Sequence, residues 1–405
     1  MQKRHWWLAW LALAAGVGVL VWQLRADGAD PSRSPPSASS TLPNTRSVAD
    51  AEPETAASGV SGPYSAGGLN SRQQQLAQWQ QRLETAEHLY NSYRDATRYP
   101  HESRPIGEHP DQVRPFDPVS EIKTLRDASG KAVKGLRLRT TQERVFLAGA
   151  ETVKLSIEAF DDNNKAVPLT VTQSSAQTIP DTATPITVIA ANVPFSDDGT
   201  GPDALAGDGK YTARLSPQAQ GFANHAGTIR LLAQVSANGE QGVAHFDVVY
   251  SPTVPATWLG VRESIEAGSL NFYLKAQVQT AGRYVVSGRV YDANDKPFAL
   301  LQFNDEVSAG QREFKLQLFG ALVRDVNPAF PLKLVDVEGF LLRPDAFPDR
   351  SMLARRPGTV HTTGRYGIDQ FSPAEWSSEE RERYLVEYQR DVHNAGEQVR
   401  SLQNP

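Results

Sequence analysis

Four aspartates fall within twelve positions of the stretch Ser196-Asp-Asp-Gly-Thr-Gly-Pro-Asp-Ala-Leu-Ala-Gly-Asp-Gly-Lys-Tyr211: Asp197, Asp198, Asp203 and Asp208. Carboxylates this close repel one another unless water or a cation screens them. The chemistry they offer is binding of a hard cation, with Ca²⁺ the natural occupant of an all-oxygen site. The spacing is not that of an EF-hand. With Asp197 as the first ligand, the third and fifth positions are Gly199 and Gly201, which carry no side-chain oxygen. The sixth, where that turn needs glycine, is Pro202. The same residues also suit a structural use, with Asp side chains accepting nearby backbone N–H groups and glycines taking positive φ. The loop reading is favoured, and a Ca²⁺ site of these four aspartates is kept as the alternative. A second set, His101, His109 and Asp111, matches no zinc spacing.

Other chemistry finds no template. The chain has no Gly-x-Ser-x-Gly and no His-Glu-x-x-His, because His101-Glu102 continues as Ser-Arg-Pro. Gly207-Asp-Gly209 opens a strand-like run, whereas a phosphate loop opens a helix. With no cysteine, thiolate zinc sites, disulfides and Cys nucleophiles are all excluded. The net charge of −5 and a pI near 6.0 argue against nucleic acid as a partner. The expectation is therefore no enzyme, no catalytic residue and no cofactor other than the Ca²⁺ alternative. Paired carboxylates of the glycosidase kind meet only in space and are not legible at this level.

The elements that hold the aspartate loop are mostly strands. From 119 to 252 apolar residues recur every second position, as at Leu136 and Leu138 and at Val153, Leu155 and Ile157. Turn clusters such as Asp161-Asp-Asn-Asn164 separate these runs, and Asn238-Gly239 marks a hairpin. Asp208-Gly-Lys-Tyr211 at the start of an alternating run predicts a tyrosine corner, with the ring of Tyr211 buried and its hydroxyl returned to upstream backbone. A second alternating region covers 253–346, where Gly282-Arg-Tyr284 echoes Gly209-Lys-Tyr211. The predicted architecture is mainly β: two tandem immunoglobulin-like β-sandwiches with an N-terminal transmembrane helix and flanking amphipathic helices.

The flanks divide as follows. Residues 1–24 contain Trp6–Leu24, a 19-residue run without charge that follows Lys3 and Arg4. As a helix it would rise about 28 Å, close to the hydrocarbon thickness of a bilayer. Basic residues before the run and tryptophans at its ends suit a signal anchor that leaves the rest of the chain outside the cytoplasm. A cleaved signal peptide is the rival, with Ala26-Asp-Gly28 as a poor cleavage site. Residues 25–70, rich in Pro and Ser, read as a disordered tether spanning on the order of 40 Å. In 71–98, Leu76, Trp79, Leu83, Ala86, Tyr90 and Tyr93 form one helical stripe, for docking on the β-domain or for a coiled coil with a partner. The connector 99–118 has prolines at 100, 105, 110, 115 and 118, which oppose regular structure. The tail 347–405 begins irregular, and Ser372-Pro-Ala-Glu375 predicts the start of a C-terminal helix.

The stretch Asp197–Tyr211 resembles the Asp/Gly signature of bacterial surface Ig-like modules, in particular the "choice-of-anchor X" type. The order of anchor, helix, Tyr99-Pro-His-Glu-Ser-Arg-Pro105 and two β regions is similar to an uncharacterised gammaproteobacterial family of envelope proteins with a domain of unknown function. That resemblance implies an Ig-like fold and lends no catalytic residues. Together with the anchor, it leads to the expectation of a membrane-tethered periplasmic binding or scaffold protein. Such a protein would be single-pass in the bacterial inner membrane, with its bulk in the periplasm and an envelope protein as partner. The alternative is an accessory carbohydrate-binding or hydrolase-associated module. Outside the apolar run the only tryptophans are Trp79, Trp258 and Trp376, few for a sugar-stacking face, which favours the first expectation.

Overall fold

The computed structural model describes residues 67–127, 129–180 and 188–404. The expected membrane helix and most of the tether lie outside the described residues, within which no helix is long and apolar enough to cross a membrane. Among the described residues the protein is mainly β, 45% strand and 21% helix, in four sheets.

The chain enters through α1 (Gly67–Ala96), which begins four residues before the predicted helix. The connector after it is more regular than its prolines suggest. Ser103–Pro105 forms β1, and two 3₁₀ turns follow at Ile106–Glu108 and Pro110–Gln112. Proline is tolerated there because β1 lies at the edge of its sheet and a 3₁₀ turn accepts Pro at its first position.

The first β unit comprises β2 (Val119–Arg126), β3 (Ala132–Gln142), β4 (Phe146–Ala148), β5 (Val153–Phe160), β6 (Ala166–Val167), β7 (Leu169–Thr178), β8 (Ala190–Asn192), β9 (Tyr211–Leu215), β10 (Gly227–Ala237) and β11 (Glu240–Ser251). One sheet runs β2-β3-β5-β6 with β9 also on β5, and the other runs β4-β11-β10-β7-β8. Their inner faces share one core, including Val153, Leu155, Ile157, Ile229, Leu231 and Phe246. The period of two becomes burial: in β10, Ile229, Leu231, Ala233 and Val235 are buried while the residues between them are not. Each large aliphatic side chain so buried contributes about 1.5–3 kcal/mol. The predicted hairpin forms at Asn238-Gly239. Both residues have positive φ, 51° and 81°, and Ala237 pairs with Glu240 across a two-residue turn.

The second β unit comprises β12 (Ala256–Glu266), β13 (Ser269–Val278), β14 (Gly282–Tyr291), β15 (Pro297–Val307), β16 (Gly310–Leu318), the short α2 (Gly320–Val326), β17 (Lys333–Leu342), β18 (Arg350–Met352) and β19 (Arg356–Thr362). Sheet β12-β13-β16 faces sheet β1-β15-β14-β17-β18, with β19 also paired to β17. The region predicted as the irregular start of the tail therefore supplies two strands to this sheet, and the connector supplies β1. Strands of three residues, or one carrying Pro357 and Gly358, are too short or too broken to show a period.

The C-terminal helix, α3 (Glu379–Gln403), starts later than predicted. Its cap is Ser378, whose hydroxyl accepts from the Arg381 N–H at 3.1 Å. Ser372 is held elsewhere, because its N–H donates to the Gly268 carbonyl at 2.9 Å. The apolar stripe of α1 packs along α3 of the same chain. Tyr93 meets Tyr384 and Tyr388 at ring separations of 5.7 and 5.3 Å. At the other end Arg72 donates to the Leu402 carbonyl, so the helices run antiparallel. Arg381, buried, donates to the Thr97 hydroxyl at 3.0 Å and Glu375 at 2.7 Å, closing the joint where α1 reaches the β body.

Candidate functional site

The aspartate loop joins β8 to β9 and is pinned at its base by the Ser196–Thr212 bridge. It brings Asp197, Asp203 and Asp208 together, one oxygen of each lying within 4.8 Å of the others. Asp198 is not part of the group. Its Oδ1 accepts from the Thr200 N–H at 2.9 Å and the Thr200 hydroxyl at 2.8 Å, which holds the carboxyl below the ordinary aspartate range. His101, His109 and Asp111 do not converge on a common point.

Most oxygens of the trio face backbone donors. Asp197 Oδ1 accepts from Gly207 and Asp208 N–H at 2.9 and 3.2 Å, and its Oδ2 accepts from Gly209 N–H at 3.0 Å. Asp203, only 7% exposed, accepts from Gly199 N–H at 2.6 Å, and Asp208 accepts from Lys210 N–H at 2.9 Å. Gly199 is needed where it stands: φ is +71°, and a Cβ there would meet the Ala206 nitrogen at 2.9 Å. The loop is thus wound around its own carboxylates, and backbone dipoles supply much of the positive potential that a cation would bring. The oxygens left for a cation are Asp203 Oδ1 and Asp208 Oδ2, with Asp197 sharing its own. A site so furnished is expected to bind Ca²⁺ weakly. The melting temperature should shift by less than about two degrees between chelator and millimolar Ca²⁺. A larger upward shift that vanishes in Asp203→Ala would make the loop a cation site.

Tyr211 does not form the predicted corner. Its ring is half-buried against the first core, and its hydroxyl finds no partner among the described residues. The corner geometry occurs at Tyr284, whose hydroxyl donates to the Thr280 carbonyl at 2.6 Å and lies 3.0 Å from the Pro255 carbonyl, with the side chain fully buried. A further polar cluster escaped sequence reading. Glu263 on β12 accepts from the Tyr366 hydroxyl at 2.7 Å and Gly364 N–H at 2.8 Å, and pairs with His361 Nε2 at 2.9 Å. Burial, reinforced by this bond, pushes the Tyr366 phenol up to about 12 and keeps it a donor. The cluster clamps the segment after β19 onto an edge strand. Its members lie about a hundred residues apart, and no local pattern could have joined them.

No family model matches the chain, and no curated protein matches its sequence. Among solved structures, a DUF4785 family protein from Legionella pneumophila aligns at 12% identity with a TM-score of 0.37, over 56% of this chain and 57% of that one. Dimeric latent PorU from Porphyromonas gingivalis aligns at 13% identity with a TM-score of 0.17, over 61% of this chain and 20% of that one. The chain thus spans little more than half the length of the first and a fifth of the second. The choice-of-anchor likeness rests on its Asp/Gly motif alone.

Proposed function

We propose that the chain is a membrane-tethered periplasmic binding or scaffold protein, built as two Ig-like sandwiches on a helical stem. The observation that carries this reading is the joint between stem and body. α1 follows the tether, lies along α3, and continues through Arg98 and Tyr99, which both bond Asp325 at 2.9 and 2.7 Å at the end of α2. Bonds at that point tie the β body to its stem, which suits the presentation of a binding surface. Two facing antiparallel sheets and a corner tyrosine bonded four residues upstream support the Ig-like description of the second unit. The Trp6–Leu24 run supplies the anchor, and the positive-inside rule orients it.

Two measurements test this reading. The full-length protein should stay with bacterial membranes through a high-salt wash. A reporter active only in the periplasm, fused after Pro405, should be active. Release of a shortened soluble form would mean cleavage near Ala26 and would remove the anchor from the proposal. A silent reporter would place the body on the other side of the membrane.

A further inference from the structure

Where the link from β11 to β12 passes the first β unit, Val254 packs at Gly149, and an open cleft of about 460 Å³ lies beside it. Its lining includes Val254, Ala256, Trp258 and Leu259 together with Arg355 and Arg356. Trp258 is fixed in place: its ring meets Phe314 edge-on at 5.6 Å and its Nε1 donates to the Ala354 carbonyl at 2.8 Å. Leu259 sits in a bulge of β12, where the register shifts between Trp258 and Gly260, and it is 55% exposed. The bulge turns an apolar side chain outward beside two guanidiniums.

Among the described residues neither guanidinium has an ion pair. The carboxylates nearest in effect to Arg355 are Glu338 and Glu151. Glu338 is bonded to Arg289 at 3.0 Å, and Glu151 to Arg144 and the Ala148 N–H at 2.8 and 2.9 Å. Arg355 lies over the Phe116 ring at 4.7 Å and has no ion pair among the described residues. Arg356 has none either, and its Nη1 is buried with no hydrogen-bond partner there. Burial pulls the pKa of Arg355 down, as expected of a charge that has lost water and forms no direct ion pair among the described residues. A partly desolvated guanidinium is stabilised by an oxyanion that can take two parallel N–H bonds. A volume of this size lies within the range of about 300–1,000 Å³ usual for small-molecule sites.

We propose that this cleft binds a small oxyanion carried on an apolar body, a carboxylate or a phosphate monoester, with Arg355 and Arg356 gripping the head and Trp258 and Leu259 covering the body. The test uses the full-length protein with four probes: phenyl phosphate, benzoate, inorganic phosphate and phenol. Thermal shift and calorimetry should show saturable binding of phenyl phosphate or benzoate. Inorganic phosphate should bind more weakly and phenol not at all. Which of the two aromatic anions binds more tightly identifies the head group. Arg355→Gln and Arg356→Met should each weaken binding about tenfold. Leu259→Ser should weaken phenyl phosphate and leave inorganic phosphate unchanged. Without ligand, Arg356→Met should melt no lower than wild type, because it removes an uncompensated charge, whereas a purely structural arginine would lower the melting temperature when replaced. No saturable response to either aromatic anion at millimolar concentration, unchanged affinity in both arginine variants, or an equal response to phenol would overturn the proposal.

Discussion

Truncating Tyr284 to alanine is expected to destabilise the protein by about 3–5 kcal/mol, the usual loss for a buried aromatic side chain. Its ring packs against Phe314 at 5.4 Å in the middle of the second core. Its hydroxyl bonds link the start of β14 to the segment before β12, because Thr280 and Pro255 both present carbonyls to it. Tyr284→Phe keeps the ring and removes only the hydroxyl, for about 1 kcal/mol. The two variants also differ in alkali. Burial pushes the Tyr284 phenol up to about 12, while in the unfolded chain it ionises near 10. A raised acid pKa means the folded state keeps its proton longer. The stabilisation is therefore complete below pH 10 and is lost as pH rises through 12. Wild type should lose stability across that window, and Tyr284→Phe should lose less. Tyr99 and Tyr366, also pushed up to about 12, keep the slope from vanishing. Tyr211→Phe is the control and should be silent. Urea unfolding of these variants at pH 8 and pH 11 would decide the matter, and equal stability of wild type and Tyr284→Ala would remove Tyr284 from the core.

Tyr211 and Tyr284 also mark where the sequence stops being legible. Both follow a Gly-x step into a strand, and the local pattern favours Tyr211 because its aspartates and glycines are denser. What makes a corner is the acceptor: the Thr280 carbonyl lies four residues upstream of Tyr284, and a link 29 residues upstream adds the Pro255 carbonyl. Tyr211 is instead the first residue of β9, paired with Ile157, and its hydroxyl has no hydrogen-bond partner among the described residues. Period-two strands and the Asn238-Gly239 turn were readable because their determinants lie within a few residues. The convergence of Asp197, Asp203 and Asp208 was readable for the same reason. So was the use of these aspartates as acceptors for backbone N–H groups, while the separation of Asp198 from the trio was not, since it depends on how the loop closes. β1, β18 and β19 exist because neighbouring strands offer open edges, a tertiary fact that a three-residue segment, or one broken by Pro357 and Gly358, cannot carry in its own composition.

Arg289 is the second site where a large loss is expected, and here too the contacts are distant in sequence. Its side chain is fully buried, and every bond it makes is to another element. Nε donates to the Gln112 carbonyl at 2.9 Å and Nη1 to the Asp336 carbonyl at 2.8 Å. Nη2 donates to Gln112 Oε1 at 2.8 Å and Glu338 Oε1 at 3.0 Å. The guanidinium thus holds the Pro110–Gln112 turn of the connector against β14 and β17, where Asp336 at φ +51° lies in a register shift that turns its carbonyl to the arginine. Removing one partner of a buried, hydrogen-bonded charge pair costs about 3–5 kcal/mol, because the groups left behind stay desolvated. Arg289→Ala should lose that much. Arg289→Lys should recover only part, since an ammonium cannot reach carbonyls and carboxylate in one planar fork. Glu338→Gln should be milder, because Glu338 is 21% exposed and Arg289 keeps three of its four bonds. The readout that separates this role from simple packing is the connector. In Arg289→Ala, proteolysis in 99–118 should quicken under conditions where the two cores remain folded by near-UV circular dichroism, and in Glu338→Gln it should not. Unchanged connector cleavage in Arg289→Ala, with a melting temperature within a degree of wild type, would show that the turn is held by Tyr291, whose hydroxyl lies 3.1 Å from the Val113 carbonyl.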